Sequence, residues 1–374
     1  MDKKILNIVI TGGPCGGKTT ALGELANLLR SYGYTVYICS ETATELISGG
    51  IKPYGDNKLE LADFQELLLD AQIYKEKIRR EAARRCPNDK VAILYDRGIL
   101  DNRAYIDYET FGSFLVPRGM TESGILSSYD MVIHLVTAAI GREECYTTDN
   151  NVARTETVEE AREMDYKTMK TWMNHPNQRI ISNDTLFDEK IGKVKNCIRA
   201  YLGEKEVIKR ERYLVDINSI NLQEFKNKYD VIEEHIEEFV DSYDDVHDVM
   251  YSKSTISGSN FYLRTSNEYD PKYPATVSKP IRGRDYDEAE AKMKGDKLHK
   301  IRYNFIDNHE RFRLDYYYVG DNCFTILERD VSQIRRKSLP AFVKNAVNIT
   351  NNRDYNDDSI FIDYNIGIVY KKIK

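Results

Sequence analysis

The chain has 374 residues, of which 41% are hydrophobic and 30% are charged, and its formal net charge is −6 at pH 7. This length predicts two domains, and the apolar content lets each of them bury a core of its own. The acidic balance argues against nucleic acid as a partner, so any anion site must be a local cluster of cations.

The sequence carries no signal for a membrane or for an oxidising compartment. Its six cysteines are scattered without a CxxC pair, which favours a reduced, cytoplasmic protein. The opening residues, MDKKILNIVITGG, have no small-residue cleavage pattern and predict a strand rather than a signal peptide. We expect no transmembrane segment, because no stretch approaches the ~18 apolar residues that one needs.

Strand and helix signals alternate through the first half. Apolar runs predict strands at 4–11, 35–41, 91–98, 131–136 and 179–183. Helical spacing predicts helices at 18–31, 58–85, 155–174 and 187–202. Apolar strands separated by helices predict an α/β domain whose parallel sheet is covered on both faces.

After Gly203 the composition changes, and tyrosine, asparagine and aspartate become common. Alternating runs such as NFYLRTS, KIRYNFI, RFRLDYYY and CFTILERD predict antiparallel strands, with one helix near 286–295. We therefore predict a P-loop domain over 1–203, followed by an α+β antiparallel barrel domain over 204–374.

The motif GxxxxGK[ST] lies between the first strand and the first helix. Glycines let backbone N–H groups converge on an anion, and the helix that follows adds its positive end. Lys18 would reach the β- and γ-phosphates, and the Thr19 hydroxyl would ligate Mg²⁺. The alternative is a chance glycine-rich turn, which the flanking strand and helix argue against. The predicted nucleotide-binding residues are Gly12, Gly13, Pro14, Cys15, Gly16, Gly17, Lys18, Thr19 and Thr20.

Charged residues follow two predicted strands at the edge where ligands of such sheets bind. Glu41 follows TVYICS, and Asp96 and Arg97 follow VAILY. Asp96 could hold Mg²⁺ through water, together with Thr19, or orient a nucleophile. Arg97 could clamp a phosphate or a carboxylate. The alternative is that DRGILD is an ordinary polar turn, with Asp101 as the N-cap of a helix.

The polar segment 139–166 suits a lid that closes over phosphates. Arg154 precedes the predicted helix and is the candidate lid arginine. Ordinary ion pairs on an exposed helix face are the alternative, and for Arg162 that alternative is favoured.

The first half resembles the P-loop family related to the ribosylnicotinamide kinase module of bacterial NAD regulators. The resemblance rests on GGPCGGKTT, SETATELISGG, YDRGILDNRAY, NVARTETVEEA and HPNQRIISN, over roughly residues 5–202. It implies a kinase-like fold rather than a ring-forming motor ATPase. It also implies that Glu41 and Asp101 face the acceptor, that Arg154 contacts the phosphates and that Asn183 contacts the nucleotide base.

Several strands of the second half bring cations to one side, because residues i and i+2 of a strand share a face. The predicted polyanion-binding residues are Arg264, Lys279, Lys300, Arg302, Arg311 and Arg313, with Glu328 as a carboxylate available for a metal. We expect the six cations to form one basic concavity. The alternative is that each strand simply has one solvated face.

The second half resembles the CYTH, or triphosphate-tunnel, fold in ERYLV, SKPI, LHKIRYNF, RFRLDYYY and TILERD. A P-loop domain followed by such a barrel is similar to the channel-translocation-defect family, for which binding of GTP and phosphatidic acid is implied. Catalytic tunnel enzymes open with ExExK, whereas this chain has IKRERYLV, with Lys209 or Arg210 where a glutamate is expected. Cations there oppose a divalent metal, so we expect the barrel to bind anions rather than hydrolyse triphosphates.

Three functions remain. The leading hypothesis is an Mg²⁺-dependent phosphotransferase that moves the γ-phosphoryl group of ATP or GTP to a small nucleoside-like or phosphorylated acceptor, positioned by Asp96, Asp101 or Glu41. The second is a nucleotide-dependent switch that controls binding of an anionic lipid or partner, although no NKxD-type guanine signature stands out in the predicted P-loop domain. The third is a triphosphate or pyrophosphate hydrolase centred on the barrel, against which the departure from ExExK counts.

Overall fold

The computed structural model describes residues 3–146, 157–203, 210–244, 247–256, 258–270, 273–293, 297–319, 322–330 and 338–350. The chain divides into two compact units, Met1–Lys195 and Asn196–Lys374. The division falls inside the helix Phe187–Tyr201, and the domain boundary predicted at 203 lies just past the end of that helix.

The first unit is built on a five-stranded parallel sheet, as the sequence predicts. Its strands are β1 (Lys4–Thr11), β2 (Thr35–Cys39), β3 (Lys90–Asp96), β4 (Met131–Leu135) and β5 (Gln178–Ile181). They lie in the order β2-β3-β1-β4-β5. The central strands are buried on both faces, which is why they read as continuous apolar runs.

Seven α-helices accompany this sheet in the described part of the unit. They are α1 (Lys18–Ser31), α2 (Thr42–Ser48), α3 (Leu61–Arg85), α4 (Tyr108–Leu115), α5 (Glu122–Ser127), α6 (Val158–Thr171) and α7 (Phe187–Tyr201). The long helices match the predicted ones within a few residues. The short helices α2, α4 and α5 were not predicted. No helix of the described residues is long and apolar enough to cross a membrane.

The first unit holds a buried aromatic cluster that contains a carboxyl group. Trp172 packs edge-on against Tyr129, with 5.5 Å between ring centroids. The Tyr129 hydroxyl lies 2.8 and 3.0 Å from the two carboxyl oxygens of Glu76, and Arg80 lies 3.2 Å from one of them. Burial raises the pKa of Glu76 to about 7, although Arg80 and Tyr129 oppose the shift.

Within its described residues, the second unit contains a nine-stranded antiparallel sheet. Its strands are β6 (Arg210–Val215), β7 (Ile232–Asp244), β8 (His247–Ile256), β9 (Ser259–Asp270), β10 (Tyr273–Pro280), β11 (Leu298–Asp307), β12 (Glu310–Val319), β13 (Asn322–Asp330) and β14 (Val347–Asn348). They lie in the order β10-β9-β8-β7-β11-β12-β13-β6-β14. No pairing between β10 and β14 is present among the described residues, so the predicted closed barrel stays a prediction.

Two helices, α8 (Leu222–Tyr229) and α9 (Gly283–Glu290), cover one face of this sheet. Phe225 of α8 packs against Tyr303 and Phe305 in an apolar core. Tyr286 of α9 packs against Phe239, with 5.3 Å between ring centroids. The alternating residues of the same strands therefore point to the other face.

We expect Glu76→Gln to remove a pH-dependent part of the first unit's stability. The folded-state pKa of Glu76 lies above its usual value, so folding favours the protonated acid. The wild type therefore loses stability as the pH rises from about 4.3 to about 7. Between pH 5 and pH 8, the free energy of unfolding of the wild type should fall by about 2–3 kcal/mol relative to the variant.

Urea unfolding followed by tryptophan fluorescence measures this difference within the first unit, because Trp172 is the chain's one tryptophan. A difference that stays constant from pH 5 to pH 8 would mean that Glu76 is ionised throughout this range in the folded protein.

Candidate functional site

The phosphate loop connects β1 to α1 and depends on glycine at both ends. Gly12 has a φ of +131°, and a Cβ atom there would lie 2.0 Å from the carbonyl oxygen of Leu135. Gly17, the N-cap of α1, has a φ of +91°. Side chains at these positions would strain the backbone or collide with β4. The glycines thus let the loop fold tightly over the N-terminus of α1, where N–H groups favour an anion.

The loop is followed at once by the residues predicted to contact phosphate and metal. The ammonium group of Lys18 donates to the carbonyl oxygens of Gly12 (3.1 Å) and Gly13 (2.8 Å), so its stem lies back over the loop. Thr19 and Thr20 follow in the first turn of α1 and are exposed. All three side chains line the same cavity.

A buried aspartate, Asp165, binds the backbone of the phosphate loop. The Asp165 Oδ1 atom accepts hydrogen bonds from the backbone N–H groups of Gly13 (2.8 Å) and Thr137 (3.0 Å) and lies 3.2 Å from Nε2 of His134. Burial alone would raise the pKa of Asp165, but His134 and the two N–H groups outweigh it and lower the pKa. Asp165 therefore fixes the loop to the end of β4 as an anion.

A buried lysine holds the other end of the loop. Lys190 of α7 is 3% exposed and donates to the carbonyl oxygens of Gly16 (2.9 Å) and Val136 (2.9 Å) and to Oδ1 of Asn183 (2.6 Å). Its three ammonium hydrogens have three acceptors here. Burial lowers the pKa of Lys190 to about 8. Sequence reasoning missed both Asp165 and Lys190.

The predicted strand-end residues Glu41 and Arg97 meet in an ion pair. Arg97 Nε donates to Glu41 Oε1 at 2.8 Å, and the Thr44 hydroxyl donates to the other Glu41 oxygen at 2.7 Å. Burial would raise the pKa of Glu41, but Arg97 and Lys18 outweigh it and hold the pKa at about 2. The Arg97 backbone has a φ of +68°, a left-handed conformation that residues other than glycine rarely adopt. The pair places one arginine and one permanent carboxylate beside the phosphate loop.

Asp96 lies at the end of β3, directly opposite Ile10 of β1. Its Oδ1 atom is buried and has no hydrogen-bond partner among the described residues. Burial, with Glu41 nearby, raises the pKa of Asp96 to about 6 against the effects of Lys18 and Arg97. A buried carboxylate oxygen of this kind is costly unless it meets a cation or a donor.

The residues at this edge of the sheet suit Mg²⁺ better than a metal ion whose ligands must all come from the protein. No group of three or more His, Cys, Asp and Glu residues is placed to hold a metal within the described part of the chain. Mg²⁺ instead keeps several waters and takes one or two protein oxygens together with phosphate oxygens. The Thr19 hydroxyl and the Asp96 carboxylate are such oxygens, and both line the cavity.

One cavity of about 560 Å³ joins these groups. Its lining combines the phosphate loop with the strand-end charges and with apolar residues of α2, α3 and the segment between them. The lining residues include Cys15, Lys18, Thr19, Glu41, Ile47, Tyr54, Phe64, Gln65, Leu68, Asp96, Arg97, Asp101 and Asn102. This volume is in the range of small-molecule sites.

Three predicted site residues remain, namely Asp101, Asn183 and Arg154. Asp101 accepts hydrogen bonds from the Thr11 hydroxyl (2.5 Å), the Trp172 indole (3.0 Å) and the Gly98 N–H (2.7 Å), so both of its oxygens are engaged. It caps the turn Ile99–Ala104 from the third helical position, with Gly98 as the N-cap. The Asn183 amide donates to carbonyl oxygens after β4 and does not line the cavity. Arg154 lies outside the described residues.

In the second unit, ion pairs occupy the sheet face opposite α8 and α9. The pairs are Lys300–Glu238 (2.9 Å), Arg302–Asp315 (2.6 Å), Arg313–Glu328 (2.6 Å) and Arg212–Glu328 (3.1 Å). Glu234 lies on the same face, where burial raises its pKa although arginines lie nearby. Arg311 donates to Asn304 at 3.2 Å. Carboxylates therefore balance much of the cationic charge, and Glu328 engages arginines with both oxygens.

The expectation that all six cations share one concavity is wrong for Arg264 and Lys279. Arg264 lies opposite Lys279 on β10 and opposite Tyr251 on β8, and Tyr251 lies opposite Phe239. Directly opposite residues of a sheet share a face, so both cations lie on the α9 side. Lys300 instead lies opposite Ile236, which points to the other face.

Among the comparisons with known proteins, the family model covers the first unit. Residues 7–190 match the family model AAA_28, described as an AAA domain. No curated protein matches the chain. A solved structure titled "Structure of PH1819 protein from Pyrococcus Horikoshii OT3" is 14% identical, with a TM-score of 0.25, over 34% of this chain and 80% of that chain. That likeness is too low to carry an argument. The phosphate loop, its parallel sheet and the family match together identify residues 7–190 as a P-loop NTPase-like domain.

Proposed function

We propose that the first unit is an Mg²⁺-dependent phosphotransferase that uses ATP or GTP and phosphorylates a small acceptor. The observation that carries the proposal is the cavity in which the phosphate loop meets two buried polar atoms, Oδ1 of Asp96 and Nη1 of Arg97. Neither atom has a hydrogen-bond partner among the described residues. Phosphoryl transfer needs positioned charges around the transferred group rather than covalent chemistry.

The phosphate loop would bind the phosphates of the nucleotide. Backbone N–H groups and the N-terminus of α1 would hold the β- and γ-phosphates, and Lys18 would move from the loop carbonyl oxygens onto them. Thr19 and Asp96 would hold Mg²⁺, which supplies charge neutralisation at the phosphates when bound. Arg154 stays a lid candidate on sequence grounds.

Asp96 is better suited than Glu41 to meet an acceptor hydroxyl. The two oxygens of Glu41 accept hydrogen bonds from Arg97 and Thr44, and its pKa is about 2, so Glu41 is a weak base. Asp96 keeps a buried oxygen without a hydrogen-bond partner among the described residues, so it can position an acceptor hydroxyl directly or through a water on Mg²⁺. We assign Glu41 to positioning Arg97, and we assign Asp101 to holding β1 and Trp172 together.

For the second unit we propose binding of a polyphosphate-like anion at the face that carries Lys300, Arg302, Arg311 and Arg313. The support is the concentration of cations there, of which Lys300 and Arg313 are buried and Arg302 and Arg311 are half-buried. An incoming anion would compete with Asp315 and Glu328 for their arginines. An anionic lipid headgroup stays the alternative ligand, as the switch hypothesis requires.

Lys18→Ala should lower phosphoryl transfer by about a hundredfold or more, because one charged donor to the transferred group is lost. Lys77→Ala, which removes an exposed lysine of α3, is the matched control and should change nothing. Product formation is measured with radiolabelled γ-phosphate over a panel of small acceptors. Tight nucleotide binding by calorimetry with no transfer to any acceptor would favour the switch instead.

Asp96→Asn should lower kcat strongly while leaving nucleotide affinity within a few-fold of the wild type. A carboxylate that acts on developing charge contributes chiefly to kcat rather than to ground-state binding. Steady-state kinetics with calorimetry for the nucleotide separate the two effects. An unchanged kcat with a raised KM would make Asp96 a binding residue only.

Tripolyphosphate should stabilise the full chain thermally, and Arg313→Gln should reduce that shift. The experiment is done in the Lys18→Ala background, so that the phosphate loop does not contribute. Arg264→Gln is the control, because the register places Arg264 on the opposite face. Equal loss of the shift in both variants would contradict the assignment of the binding face.

A further inference from the structure

A buried cation lies against the phosphate loop without a carboxylate partner. Lys190 of α7 is 3% exposed, and its ammonium group donates only to neutral oxygens, those of Gly16, Val136 and Asn183. No carboxylate lies within ion-pair distance of this group among the described residues. Lysine is rarely buried to this extent unless an anion accompanies it, because removing an ammonium group from water is costly. The site therefore calls for an anion that the protein does not itself supply.

The charged groups around Lys190 do not supply this anion either. Among the described residues, the charges that act on Lys190 are those of Asp165 on α6, Lys18 on α1 and Lys193 on α7. Burial lowers the pKa of Lys190 to about 8; Asp165 opposes this shift, and the two lysines add to it. Asp165 already accepts hydrogen bonds from two backbone N–H groups and lies 3.2 Å from Nε2 of His134. The surroundings of Lys190 thus hold more cations than anions before a ligand binds.

One peptide group connects Lys190 to the place where phosphate would bind. The ammonium group lies 2.9 Å from the carbonyl oxygen of Gly16. The peptide that follows this carbonyl is trans, so the N–H group of Gly17 points away from Lys190. Gly17 is the N-cap of α1, where backbone N–H groups favour an anion. A cation on the carbonyl side polarises such a peptide and makes its N–H group a stronger donor.

The contact made by Lys190 differs from the one made by Lys18. Lys18 donates to the carbonyl oxygens of Gly12 and Gly13, and it lines the cavity, so it is free to turn toward a phosphate. Lys190 does not line the cavity and is held by its three acceptors. Its charge therefore stays behind the loop when a ligand binds in front of it.

We propose that Lys190 is a positioning residue of the phosphate site, that the bound triphosphate is its counter-anion, and that it acts on this anion through the peptide that joins Gly16 to Gly17. The inference rests on the proposed function, because it takes a nucleoside triphosphate to occupy the phosphate loop. It adds that binding of the triphosphate and protonation of Lys190 stabilise each other.

This reciprocity fixes the sign of the pH dependence. Bound triphosphate raises the pKa of Lys190 above its value of about 8 in the free protein, so binding takes up protons near pH 8. Affinity is highest below pH 8, where Lys190 is already charged, and it falls several-fold as the pH rises from 7 to 9. A lysine with an ordinary pKa is protonated throughout this range and would contribute little to such a dependence.

Calorimetry on the full chain tests the proposal. Non-hydrolysable ATP and GTP analogues with Mg²⁺ are titrated at pH 8 in two buffers of different protonation enthalpy, which gives the protons taken up per ligand. The wild type should take up roughly 0.3 to 0.5 proton. Lys190→Met should lose this uptake and bind about tenfold or more weakly at pH 7.

Lys193→Met is the matched control. It removes the same charge from the same helix, but Lys193 donates to Asp184 at 2.7 Å rather than to the loop. We expect it to keep the proton uptake and to bind within about twofold of the wild type. The uptake by the wild type is measured without a variant, so the proposal stays testable if Lys190→Met does not fold.

The outcomes separate this inference from the proposed function. Binding without proton uptake at pH 8, uptake that persists in Lys190→Met, or equal affinity of this variant and the wild type overturns the inference. Lys190-dependent uptake without phosphoryl transfer to any acceptor keeps the inference and contradicts the phosphotransferase. Phosphoryl transfer by a chain that binds the analogues without proton uptake does the reverse. No binding of either analogue in the millimolar range overturns both.

Discussion

Two buried charges fix the shape of the phosphate loop, and the rest of the site depends on that shape. Asp165 accepts from the N–H of Gly13, and Lys190 donates to the carbonyl oxygen of Gly16. The partners are backbone groups, so the bonds set the course of the main chain rather than one side chain. Removing either charge would leave buried polar groups unpaired, which costs more than the bond itself contributes.

The second organising feature is the difference in pKa between two carboxylates at the sheet edge. Glu41 and Asp96 both follow strands, yet the pKa of one is held at about 2 and that of the other is raised to about 6. The arginine that pairs with Glu41 makes the difference, because it neutralises one carboxylate and leaves the other facing the cavity. Pairs of acids whose environments divide them in this way commonly take different roles in a reaction.

The sequence predicted the parts of the first unit whose causes are local. The phosphate loop was visible because glycines, lysine and threonine must stand at fixed spacing, and the long helices because their periodicity extends over several turns. Asp165 and Lys190 were missed because their partners lie 152 and 174 residues away. A signal existed for Asp165, since it interrupts the buried stripe that contains Ala161 and Met169 in α6.

In the second unit, the alternation of side chains correctly predicted which residues of one strand share a face. It did not predict which residues of different strands share a face. Lys300 and Arg302 share a face as their spacing requires. The face of Arg264 depends on the register of every pair between β9 and β11, which no local pattern encodes. Two acidic residues of this face, Glu234 and Glu238 of β7, were also missed, because they meet the cations only once the strands are paired.

The burial of Lys190 makes it a natural reporter of how often the loop opens. Burial lowers the pKa of this amine to about 8, and on exposure the amine regains the pKa and the reactivity of an ordinary lysine. At 3% exposure, however, a reagent reaches it only when α7 and the loop separate. Its rate of modification in solution is therefore a measure of local unfolding at the phosphate loop, and any ligand that holds the loop closed will protect this one amine.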